Sequence, residues 1–195
     1  MKKQHLMIAL LFSFALSFSA YGQFRAKMIY TLSDNAKEFG VFSDHNRYRY
    51  EFNEDGQEGV VIVLKESGEV FILMPQQKMA MKTAPSDIMS MANDPIAAYD
   101  YHVQQGGIKK VIGEEMVNGI LCEKSELYNQ SNQLLYTIWY SDQYDFPLKM
   151  ISHIDVAGNT SMELSDIKPW TPDETSFTIP DGYQVMEQKS MMPEH

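Results

Sequence analysis

The chain of 195 residues has a single cysteine, Cys122, so no intramolecular disulfide can form even where the compartment would permit one. No histidine or basic cluster stands close to it in sequence to lower its pKa, and a buried, poorly reactive thiol is expected. Histidine is scarce as well. Beyond the first residues His45, His102, His153 and His195 stand far apart, and neither an H-x-x-x-H nor a C-x-x-C spacing occurs, so no metal site is expected. A G-x-S-x-G elbow, a Gly-rich phosphate loop and a dinucleotide fingerprint are all missing, and with them any motif for a cofactor. Adjacent carboxylates do occur, at Glu114-Glu115 and Asp173-Glu174, but neighbours on a strand point to opposite faces and cannot converge on one substrate atom. The chain is therefore expected not to be an enzyme. Basic residues are outnumbered, 16 Lys and Arg against 26 Asp and Glu, for a formal charge of −10. Nucleic acid is excluded as a partner by that balance, because phosphate backbones repel it.

What is present begins with "MKKQHLMIALLFSFALSFSAYGQ": two lysines, an apolar run from Leu6 to Phe18, and Ala20 and Gly22 in the small-x-small spacing of a signal-peptidase site. The run is shorter than the roughly 20 residues of a spanning helix, so no integral membrane span is expected. Residues 1–22 are expected to be a signal peptide cleaved after Gly22, giving a periplasmic or secreted protein. No cysteine follows the cleavage point to carry a lipid. One domain is expected over residues 23–185, with a flexible tail at 186–195, because neither a repeat nor a Pro/Ser-rich linker divides the chain.

From Phe24 onward the dominant period is two. "FRAKMIYTLS" sets Phe24, Ala26, Met28 and Tyr30 opposite Arg25 and Lys27, and "NRYRYEF" sets Tyr48, Tyr50 and Phe52 opposite Arg47, Arg49 and Glu51. "VVIVLKE" and "EVFILMP", separated by Ser67-Gly68, are apolar on both faces and so require cover on both. The alternation lapses in "PSDIMSMANDPIAAYDYH", where Ile88, Ala92, Ile96 and Tyr99 recur at helical spacing and Asp94-Pro95 reads as an N-cap followed by a first-turn proline. Strands resume at "IKKVIGEEMVNGILCEKSELYN", with an Asn118-Gly119 hairpin turn, and continue through "QLLYTIWYSD", "PLKMISHIDV" and "TSMELSDIKPW". The fold class is α+β, mostly β: an antiparallel half-barrel wrapped around short helices.

Three segments in order, "IGEEMVNGILCEKSELY", "IWYSDQYDFPLKM" and "FTIPDGY", resemble a family of secreted bacterial proteins of unknown function and, more distantly, the LolA/LolB lipoprotein-carrier superfamily. The residues that carry the resemblance are Gly113, Gly119 and Cys122, then Trp139 and Pro147, then Phe177, Pro180, Gly182 and Tyr183. It implies a LolA-like half-barrel with an apolar cavity between sheet and helices, and no catalysis. The chain holds 14 methionines, several of them around the helical insert, and unbranched thioethers adapt to variable apolar ligands. The expected cavity residues are Met28, Tyr30, Phe71, Leu73, Met79, Met81, Ile88, Met89, Ala92, Ile96 and Trp139. The expected ligand is a lipid, an acyl chain or a lipidated peptide. The alternative is an interaction or sensor module with a packed core that engages another envelope protein.

Overall fold

The computed structural model describes residues 22–33, 35–54, 56–87, 90, 91, 94–154 and 160–187. The signal-peptide expectation for residues 1–21 and three expected cavity residues, Ile88, Met89 and Ala92, lie outside them. Twelve strands form one open sheet: β1 (Gln23–Leu32), β2 (Asn35–Asp44), β3 (Arg47–Glu54), β4 (Gln57–Leu64), β5 (Glu69–Met74), β6 (Met79–Thr83), β7 (Ile108–Val117), β8 (Ile120–Tyr128), β9 (Leu134–Ser141), β10 (Phe146–Ser152), β11 (Thr160–Pro169) and β12 (Gln184–Glu187). A 3-10 turn at Pro75–Gln77 joins β5 to β6, and a helix, α1 (Pro95–Gln104), lies between β6 and β7. The spatial order is β12-β6-β5-β4-β3-β2-β1-β11-β10-β9-β8-β7, so two meanders meet where β1 pairs with β11. Every pairing among the described residues is antiparallel except that of β12 with β6.

The residue pattern explains the elements. In β1, Phe24, Ala26 and Met28 are buried while Arg25 and Lys27 face water, because a one-residue slip would turn the whole apolar set outward. The β7–β8 hairpin turns on Asn118 and Gly119, both at positive φ (50° and 81°), the backbone that an Asn-Gly pair adopts at least cost. Helix α1 starts where Asp94 caps the Ile96 N–H at 2.9 Å and Pro95 occupies the first turn. It stops before Gly106, whose φ of 86° ends the helical path.

The sheet has two apolar faces. The concave one carries the main core, including Met28, Val41, Tyr48, Tyr50, Leu148, Met162 and Leu164, and α1 packs on it through Ile96. On the opposite face Ile62, Leu73 and Ala80 form a second cluster closed by Phe177, with Phe71 and Trp170 at its margin. The two-faced apolarity of β4 and β5 has its cause here. The segment at 170–183 is strapped over the outer face: Arg49 donates to the Ser176 carbonyl at 2.6 Å, the Arg47 guanidinium lies 4.6 Å from the Phe177 ring centre, and Trp170 stacks edge-on against Phe42 and Phe177. The structure corrects one expectation at the end of the chain. Residues 186 and 187, assigned to a free tail, belong to β12, whose backbone continues the sheet beside β6.

Candidate ligand cavity

Between α1 and the concave face lies a cavity of about 290 Å³. Its floor follows from register. Tyr136, Ser152, Thr160 and Leu32 are successive cross-strand partners on β9, β10, β11 and β1, one row across four strands. One step deeper, Ile138, Met150, Met162 and Tyr30 make a second row, since partners at a two-residue offset share a face. Met91, Pro95 and Ala98 supply the opposite wall, and Ile154 and Ser161 complete the lining. Met150 and Met162 are buried, whereas Leu32 is 38% exposed, so the cavity opens at the ends of β1 and β10 and the start of β11.

The helical wall is anchored by a buried carboxylate. Asp94 accepts from the Tyr48 hydroxyl at 2.6 Å and from the Tyr50 hydroxyl at 3.2 Å, two concave-face residues of β3, while capping α1. Burial pushes its pKa up to about 6 against the pull of those hydrogen bonds, and burial likewise holds both tyrosines far above their ordinary range. A second acid, Asp87, accepts from the Thr83 hydroxyl at 2.6 Å and from the Ala84 N–H at 3.1 Å, fixing the start of the insert to β6. Around the cavity itself, burial raises the Tyr30 and Tyr136 phenols, the latter to about 12, and lowers His102, whose ring lies against Tyr136. Tyr30, Tyr136 and His102 are therefore uncharged at neutral pH.

Of the expected cavity residues, the structure brings Tyr30 to the lining. Met28 and Ile96 are buried in the core beside it. Met79 and Met81 lie on the cavity's face of the sheet, as their pairing with Met74 and Ile72 shows, but out on β6, away from the lining. Three residues need correction. Phe71 and Leu73 pair with Ile62 and Val60 in the second cluster and are covered by Phe177. Trp139 is buried in the main core but is not part of the lining: it stands in register with Lys124 and Lys149, whose ammonium groups lie 4.8 and 5.4 Å from its ring centre. All three are apolar, which suits a cavity wall as well as a core, and the strap that covers Phe71 and Leu73 has no period to reveal it. It missed Leu32, Met91, Tyr136, Met150, Ser152, Thr160 and Met162. A signal was there: the alternation in "PLKMIS" and "TSMEL" sets Met150 with Ser152 and Thr160 with Met162.

No protein-family model matches this chain, and no curated protein matches it. Solved structures do. An uncharacterized conserved protein from Thermus thermophilus superposes with a TM-score of 0.58 at 11% identity, over 87% of this chain and 93% of its own. A chain of the MucA/MucB complex of Pseudomonas aeruginosa superposes with a TM-score of 0.51 at 14% identity, over 86% of this chain and 59% of its own. A LolA superfamily protein from Nitrosomonas europaea aligns over 81% of this chain and 90% of its own, with a TM-score of 0.48 and 14% identity. The likeness is one of fold: a mostly-β, open sheet with a short helix on its concave face, the antiparallel half-barrel that the strand pattern predicts.

Proposed function

We propose that this chain is a binding protein of the cell envelope that holds an apolar ligand, a lipid, acyl chain or lipidated peptide, between the curved sheet and α1. The observation that carries the reading is the cavity: a concavity walled by Met91, Met150 and Met162, with a few hydroxyls at one end, has the composition of a small-molecule pocket. Thioethers on both walls suit a ligand of variable shape. Export through the N-terminal leader is part of the proposal, as is the lack of any catalytic step. The direct test is titration with an uncharged, environment-sensitive naphthylamine probe. Binding is expected in the unmodified protein, and Ala98→Trp, which puts an indole into the cavity from the helical wall, should weaken it by about tenfold or more with the fold intact. Equal binding by both proteins refutes the cavity as the site.

One observation favours the second reading, an interaction module. The edge strand β7 is exposed along almost its full length and presents Ile108, Val111, Ile112 and Met116, each more than half accessible. Such an edge can accept an extended segment of a partner.

A further inference from the structure

We infer that the cavity selects a single-chain ligand whose polar end is uncharged, such as an alcohol, an ester or an amide, and rejects the same chain ending in an ionised carboxylate or phosphate; this rests on the binding reading above.

The two rows of the floor set the polarity of whatever lies on it. The deeper row, Ile138, Met150 and Met162, offers no hydrogen bond beyond the Tyr30 phenol, and an apolar chain belongs there. The outer row, at the open end, offers the Tyr136, Ser152 and Thr160 hydroxyls in sequence across three strands. These are neutral donors and acceptors. Tyr136 and Ser152 are cross-strand partners, and Ser152 accepts from the Ile154 N–H at 3.3 Å, so the hydroxyls stand side by side on the floor before a ligand arrives. A hydroxyl or carbonyl can join such a row with one or two bonds.

An anion finds nothing comparable. Among the described residues the lining contains no lysine, arginine, histidine, aspartate or glutamate. The cation that register places nearest is Lys37, opposite Tyr30 on β2, and it is engaged with Glu54 at 2.6 Å. His102 lies behind Tyr136 and is kept neutral by burial. A carboxylate entering this site would lose water without gaining a counter-charge, and its affinity falls accordingly. The size fits one chain: about 290 Å³ corresponds to roughly ten water-sized volumes.

The experiment displaces the naphthylamine probe with three ligands of equal chain length, dodecanol, methyl laurate and laurate, near neutral pH in dilute buffer and again in about 0.5 M salt. The salt matters because the whole chain carries −10 and repels anions at a distance, an effect that a Debye length of a few ångströms removes. The expected result is that the alcohol and the ester displace the probe at least about tenfold better than laurate at both salt concentrations. Laurate equal to the ester in high salt overturns the inference. A second arm uses Leu32→Lys, which sets an ammonium at the exposed rim where the fold tolerates it. Laurate should then recover to within about threefold of the ester, and a preference unchanged by the added cation also overturns the inference. Failure of the underlying reading looks different: no chain displaces the probe, and Ala98→Trp leaves probe binding as it was.

Discussion

At the scale of single residues the most consequential group is Asp94. Its folded pKa of about 6 lies above the ordinary 3.8, so over that window the folded chain keeps a proton that the unfolded chain releases. Its contribution to stability is therefore full below about pH 3.8 and is lost as pH rises through about 6, a difference of about 3 kcal/mol. Urea melts from pH 4 to 7 should show stability falling with pH, and Asp94→Asn, which keeps an acceptor for the cap, should flatten that slope; an unaltered slope in the variant refutes the assignment. Cys122 is nearly inaccessible, and burial raises its thiol pKa. Thiol reagents should label it orders of magnitude more slowly in the native protein than in urea. Both residues were partly legible in the sequence. The Asp94-Pro95 cap and the lone thiol are local signals, but the Tyr48 and Tyr50 hydroxyls that hold Asp94 lie more than 40 residues away in sequence, and nothing local announces them.

Among the elements, strands were legible and covers were not. Alternation places β1 and β3 correctly because each has one apolar and one charged face, whereas β4 and β5 say only that something lies on both sides. The cover on the outer face is an irregular segment anchored by Phe177 and Trp170, and irregular backbone carries no period. Phe177→Ala should cost about 3–5 kcal/mol by leaving Leu73 and Ala80 uncovered, and the ring contact with Arg47 goes with it. Because that cluster lies across the sheet from the cavity, probe affinity measured well below the melting transition should stay within about twofold of the unmodified protein. Helix α1 stands at the other extreme. At ten residues it is shorter than the roughly 12 that persist alone, so its place over the cavity depends on Ile96, Asp94 and the apolar wall.

For the whole molecule, composition and topology act together. Acidic residues outnumber basic ones, 26 to 16, and Lys27, Lys82, Lys124 and Lys149 are each held in an ion pair, so the net field is one that an anionic membrane repels. Cosedimentation with phosphatidylglycerol vesicles should be absent in dilute buffer, and retention there would contradict the charge argument. No described helix is long and apolar enough to cross a bilayer. The joining of the two meanders has a kinetic consequence. Met28 finds its partner Phe39 in the next strand of the same hairpin, but its other partner, Leu164, is the product of almost the entire remaining chain. During synthesis or export the first meander, β1 to β6, can assemble by local pairing while the free side of β1 waits, unpaired, for β11. Loop-closure entropy is then concentrated in late events, the laying of β12 beside β6 and above all the zipping of the β1–β11 seam, which limits folding. Until it happens, β1 is an open strand edge in the middle of the future sheet, and the interval before closure is when this protein most needs to be kept from its neighbours.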